Sequence, residues 1–195
     1  MEKALTSRRT LLTAGIALVV ALALCVLLVA RIADATRQVA AVSHPITQSQ
    51  SLSQSGSQPA TDFTMPIWNG TQGQSVHLAA LRGDVVVVNF WGSWCEPCQG
   101  EAPTLATAYK TLAPQGVKFL GVAFQTSQAD GITFIQHYKV PYICGPAPDG
   151  LEVAYGLTGL PVTVVIDKHG MIVHKFEGAV QLVALEQAVH AALTA

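Results

Sequence analysis

The stretch that decides the reading is NFWGSWCEPCQG, residues 89–100, in which Cys95 and Cys98 stand two residues apart behind a run of aromatics. Upstream, GDVVVVNFWG places the apolar run Val85 to Phe90 between glycines, the pattern of a central strand covered on both faces. Downstream, EPCQGEAPTLATAYKTLA reads as a helix to Ala113, kinked at Pro103. The cysteines therefore sit where a buried strand hands over to a helix. Four chemistries use such a pair: zinc ligation, haem attachment, a structural disulfide and thiol-disulfide exchange.

The wider chain weighs against the first three. Structural zinc usually takes two close ligand pairs, yet the other cysteines, Cys25 and Cys144, are isolated, and no His follows within five residues of Cys98. Covalent haem requires His directly after the second cysteine, where this chain has Gln99. Closing so short a loop restricts the unfolded chain little, so a purely structural bond contributes little stability. In an exchange reaction the same positions have roles. Cys95 lies at the exposed helix start, where free N–H groups and the helix dipole favour a thiolate. Pro97 needs no donor in the first turn. Cys98, one turn on, is placed to resolve a mixed disulfide, and Trp94 offers a flat apolar contact to a partner.

The compartment follows from the N-terminus. Thr10 to Ala30 gives 21 residues without a charge, about 31 Å of helix, enough for a hydrocarbon core of roughly 30 Å. Lys3, Arg8 and Arg9 precede it, while Arg31 and Arg37 follow, which orients residues 1–9 to the cytoplasm and the rest outward. A cleaved signal is the rival, with ADA at 33–35, but the apolar run exceeds the usual signal length. The expectation is one uncleaved anchor at 10–30 in the cytoplasmic membrane, with the remainder on the periplasmic or outer face.

Residues 31–61 are expected to tether the anchor to a domain at 62–195. The part from Ser43 to Thr61 is rich in Ser and Gln and carries no charge, too little apolar surface to offset ordering. Beyond residue 38 there are six Lys or Arg against ten Asp or Glu, a formal net charge of −4. That excludes a basic nucleic-acid-binding face. In the domain, strands are expected at VKFLGVAF, at 142–144, at GLPVTVVID and at MIVHKFEG, the last two joined by a KHG turn. A helix at 128–138 has Ser127 as N-cap, and a helical turn covers 150–156. The closing helix offers Val180, Leu182, Val183, Leu185, Val189, Ala192 and Leu193 to one face. With a preceding hairpin this is a mixed α/β sandwich.

NFWGSWCEPCQGEAP together with YGLTGLPVTVVIDKHG closely resembles membrane-anchored thioredoxin-like proteins of the TlpA/ResA/CcmG group, over about 130 residues. The resemblance implies a thioredoxin-like fold: a central mixed sheet flanked by helices, an N-terminal hairpin and a central insertion at 125–145, after one transmembrane helix. It implies a cis Leu160–Pro161 peptide facing the cysteines. Thioredoxins of the wider family carry a buried Asp where this chain has Asn89, so a proton acceptor must come from elsewhere. Glu101, three residues after Cys98, matches the functional Glu of the ResA-like CEPCxxE pattern; its plain alternative is a solvated helix charge. Glu96 matches the ResA-like position as an exposed acid that tunes selectivity.

The candidate catalytic residues are thus Cys95, Cys98 and Glu101, and the active-site surface is Trp94, Glu96, Pro97, Leu160 and Pro161. No metal site is expected and no cofactor beyond the Cys95–Cys98 disulfide. Cys144 reads as an inert core cysteine, and His77, His137, His169, His174 and His190 as scattered surface residues. Glu96 and Glu101 oppose a thiolate on Cys95, which favours a reductant. The expected function is reduction of disulfides in exported proteins such as apocytochrome c, with electrons from a membrane partner of DsbD/CcdA type. The alternatives are an exported-protein disulfide oxidase or isomerase, and a redox-inactive adaptor or metallochaperone.

Overall fold

The computed structural model describes residues 58–195. The expected anchor at 10–30, the residues before it and most of the expected tether lie outside the described residues. Among the described residues no helix is long and apolar enough to cross a membrane.

Gln58 and Pro59 form a two-residue strand, β1, paired antiparallel with Ile172 and Met171. Residues just before Asp62 thus join the edge of the sheet. Ladder bonds are made by the backbone, so a Ser- and Gln-rich composition does not prevent a chain from joining a sheet edge. The Ala60 N–H adds a bond to the Gly170 carbonyl at 3.0 Å. The expected hairpin follows as β2 (Thr64–Pro66) and β3 (Ser75–His77). Met65 and Val76 point inward while their strand neighbours stay exposed, the period-two pattern of a strand with one covered face.

The run read as a central strand is β4 (Val86–Trp91), buried at all six positions. Then come α1 (Glu96–Leu112), β5 (Lys118–Ala123), α2 (Gln128–His137), β6 (Ile143–Pro146), the single turn α3 (Leu151–Ala154), β7 (Val162–Ile166), β8 (Met171–Glu177) and α4 (Leu182–Thr194). The sheet order is β1-β8-β7-β4-β5-β6, with β4, β5 and β6 mutually parallel and β7 antiparallel to both its neighbours, β4 and β8. Ser127 caps α2 as its sequence position predicts, its Oγ accepting the Asp130 N–H at 3.1 Å. The strand expected at 142–144 runs instead from Ile143 to Pro146. There Gly145 passes so close to the hairpin that a Cβ would lie 2.0 Å from the Pro66 carbonyl oxygen.

Alternation along β4 divides the core. Val87 and Trp91 pack with Leu105, Leu112, Phe134, Leu185 and Val189 of the helices. Val86, Val88 and Phe90 pack with Phe63, Met65, Leu151 and Tyr155. Helix α4 buries Leu185, Ala188, Val189 and Ala192, spaced i, i+3, i+4, i+7. Val183, offered above to that face, is 64% exposed; it lies two positions from Leu185, about 200° around the helix. Asn89 shares the helix-covered side of β4 with Val87 and Trp91, which aims a polar side chain at α1.

Candidate active site

Helix α1 begins where β4 ends, and Cys95 is its N-cap in extended conformation. Cys95 Sγ accepts the Cys98 N–H at 3.2 Å and is bonded to Cys98 Sγ. Glu96 and Pro97 fill the exposed first turn. The expectation that Cys95 stands exposed is corrected: in the disulfide form Cys95 is 4% and Cys98 1% exposed. An N-cap side chain folds back over the first turn to meet its free N–H groups, and this turns the sulfur from solvent. Trp94 is 59% exposed, its indole lying over Gly92, where a Cβ would come within 2.9 Å of the ring.

Glu101 faces inward on the same helix and is 2% exposed, so the solvated-charge alternative falls. Both carboxylate oxygens are occupied: Asn89 Nδ2 donates to Oε1 at 2.8 Å, and the Val180 N–H donates to Oε2 at 3.0 Å. Burial pushes its pKa up from the ordinary 4.5 to about 7, against the opposing pull of the Val180 and Asn89 hydrogen bonds. Asn89 also donates to Thr163 Oγ1 at 3.1 Å, its direct neighbour across the β4–β7 pairing. Asn89 therefore holds the Glu101 carboxylate in place between α1 and β7.

Thr163 and Val180 were not legible as site residues. Thr163 is one polar residue in an apolar strand, and Val180 acts through its backbone N–H, which no side-chain pattern reports. A residue that lands opposite Asn89 on an adjacent strand is a signal available only once the register is known.

The Leu160–Pro161 peptide is cis. Leu160 packs against the core cluster that contains both cysteines and, with Trp94, lines a cleft of about 600 Å³, within the size range of ligand pockets. Phe124, Ala147, Pro148 and Leu157 add apolar wall, and Asp149 and Glu152 are the charged lining residues among the described residues. Pro161 itself is buried at the entry to β7. The structure thus brings Cys95, Cys98 and Glu101 together on α1 and sets Trp94 and Leu160 on one cleft. Cys144 is buried in β6, and burial pushes its thiol well above the ordinary range. Of the histidines, His174 is half-buried beside Phe176, and the other four named above are exposed.

The AhpC/TSA family model matches residues 57–175. The chain belongs to the AhpC/TSA family. Its described domain is thioredoxin-like and similar to proteins named thiol-disulfide oxidoreductase ResA and thiol:disulfide interchange protein DsbE. The thiol-disulfide oxidoreductase ResA of Bacillus subtilis is 36% identical over 110 residues, which cover 55% of this chain and 61% of the relative. The ResA of Halalkalibacterium halodurans is 33% identical over 131 residues, covering 66% and 72%. A thiol:disulfide interchange protein of the thioredoxin family from Chlorobium tepidum superposes with a TM-score of 0.63 at 26% identity, over 71% of this chain and 97% of that one. The match to the Bacillus subtilis relative thus spans less than two thirds of that protein's length.

Proposed function

We propose that the chain is a membrane-tethered, extracytoplasmic thiol-disulfide reductase for disulfides in exported polypeptides, apocytochrome c among them. In this reading residues 10–30 are the anchor, and a membrane protein of DsbD/CcdA type returns the electrons. One observation carries the redox function. A Cys95–Cys98 disulfide caps the helix that follows the central strand, and a buried carboxylate sits one turn behind Cys98.

The chemistry follows from those positions. In the reduced protein the Cys95 thiolate attacks a substrate disulfide, forming a mixed disulfide and releasing the first substrate thiolate. Cys98 gives its proton to Glu101 and attacks Cys95 Sγ. The Cys95–substrate bond breaks, the second substrate thiolate leaves and takes up a proton, and the enzyme disulfide forms. Two electrons pass from the dithiol to the substrate. Asn89 cannot take the proton; Glu101, with a pKa of about 7, is matched to give and receive it near neutral pH.

The reducing direction is supported by Glu96, an acid in the first turn of α1 beside Cys95. It competes with a Cys95 thiolate for the positive end of the helix dipole. A less stabilised thiolate makes the disulfide harder to reduce and the dithiol a stronger reductant. Among the described residues, the lining of the adjacent cleft includes no Lys, Arg or His to offset this.

Equilibration of the protein with dithiothreitol tests the direction. A potential at or below roughly −250 mV, on the thioredoxin side of the known range, is expected, with catalysis of insulin reduction. A potential near that of strong oxidants, about −120 mV, would instead assign an oxidase. Absence of exchange would leave an adaptor.

A further inference from the structure

Each oxygen of Glu101 faces a hydrogen-bond donor, which suits a carboxylate, since an ionised carboxylate only accepts. A proton added to Glu101 creates a donor that needs an acceptor. The Val180 N–H is main chain and cannot become one, so Oε2 remains an acceptor and the proton belongs on Oε1. There it meets Asn89 Nδ2, and two donors facing each other in a buried site leave both without an acceptor.

Asparagine carries the means to reverse this. Its amide presents two N–H donors on one side and a carbonyl oxygen with two lone pairs on the other. As placed, Asn89 Nδ2 reaches Glu101 Oε1 at 2.8 Å and Thr163 Oγ1 at 3.1 Å. After a half-turn of the amide, Oδ1 occupies that position and accepts one bond from each partner. The Thr163 hydroxyl, free to rotate, changes from acceptor to donor. Asn89 and Thr163 stand opposite each other across β4 and β7, so the exchange requires only rotation of the two side-chain groups.

We propose that Asn89 is a positioning residue that reverses its side-chain amide, together with the Thr163 hydroxyl, each time Glu101 gains or loses its proton in the dithiol reaction. The proposal rests on the function above, in which Glu101 accepts the Cys98 proton. In that step the Cys98 S–H bond breaks, the electron pair stays on sulfur and the proton moves to Glu101 Oε1. Asn89 then turns Oδ1 toward the new O–H, and Thr163 donates to the same oxygen. When the proton passes to the departing substrate thiolate, both groups turn back.

The neighbouring titratable groups leave this proton distinct. On α1 itself there is the Cys98 thiol. From the segment entering β6 comes Tyr142, whose phenol burial holds well above its ordinary range; Cys144, on β6, is likewise held neutral. β4 and β7 contribute Asn89 and Thr163, and the turn before α4 contributes the Val180 N–H. No charged side chain among the described residues contributes to the Glu101 shift.

The chain has only two asparagines, Asn69 and Asn89, so the full-length protein labelled with ¹⁵N-asparagine gives two side-chain amides. Asn69 is pinned by the Tyr142 carbonyl at 2.7 Å and the Cys144 N–H at 2.9 Å and serves as the internal control. The Asn89 amide signals are expected to move with the same midpoint as the Glu101 carboxyl ¹³C signal, while Asn69 stays still. An Asn89 amide that does not respond while Glu101 titrates overturns the proposal. In a second arm, Asn89→Asp supplies acceptors only and so matches only protonated Glu101. The pH midpoint for resolution of a mixed disulfide should then rise by at least one unit. A folded Asn89→Asp protein with an unmoved midpoint refutes the positioning role; if that variant does not fold, the wild-type titration decides alone. A wild-type chain without dithiol exchange overturns the underlying function and this proposal with it, whereas an active chain with a motionless amide counts against this proposal only.

Discussion

Replacing Glu101 with Gln should make the protein's stability less sensitive to pH, in a window set by burial of the carboxylate. The folded protein holds the Glu101 proton up to about pH 7, whereas the ordinary value is 4.5. Between these values the native state binds more protons than the unfolded chain, so stability falls as pH rises through the window and levels off above it. At 1.36 kcal/mol per unit the fall is about 3 kcal/mol. Glutamine is neutral throughout and imitates the protonated acid in shape. The wild-type unfolding free energy minus that of Glu101→Gln should therefore drop by about 3 kcal/mol between roughly pH 4 and pH 8. Taking the difference cancels every other titrating group. Trp68, Trp91 and Trp94, the protein's three tryptophans, all lie in the domain, so urea unfolding followed by their fluorescence reports on it. Parallel stability curves across the window would refute the claim that Glu101 is buried with a raised pKa.

Three further outcomes are expected. Cys98→Ser should accumulate mixed disulfides through Cys95, identified by mass spectrometry after trapping; accumulation only through Cys98 in the reciprocal variant contradicts the assignment. Ser127→Ala should lower stability by about 1 kcal/mol through loss of the α2 cap, and an unmoved urea midpoint would show that the Asp130 bond contributes nothing. Gly145→Ala places a Cβ 2.0 Å from a backbone oxygen. Main chain cannot yield as a side-chain tip can, so a loss of about 3 kcal/mol is expected in thermal unfolding, and a wild-type melting temperature would mean that the hairpin is free to move.

The elements visible in the sequence were those with one dominant signal. The apolar run at Val86–Trp91, the Ser127 cap and the KHG turn each fix a local structure without help from distant residues. Glu101 was legible through its spacing from Cys98 and through the resemblance. Its burial was not, because burial depends on how β4, β7 and the start of α4 close around it. Asn89 showed only what it lacks as a proton acceptor; what it does depends on Glu101 and Thr163, 12 and 74 residues away. β1 escaped notice because edge pairing leaves no mark in composition. Val183 and Cys95 were misplaced for a common reason: apolarity and position within a helix do not by themselves fix which way a side chain turns.

The most direct test of the central claim, that Glu101 accepts the proton of Cys98, is the pH dependence of mixed-disulfide resolution. A complex between Cys95 and a model peptide would be formed, and its single-turnover collapse timed by stopped flow from about pH 5 to pH 10. The wild-type rate should rise through a midpoint near 7, the Glu101 value. In Glu101→Gln that step should be absent and the rate at neutral pH roughly 100-fold lower, within the usual range for loss of a proton acceptor. The same midpoint and the same neutral rate in both proteins would contradict it.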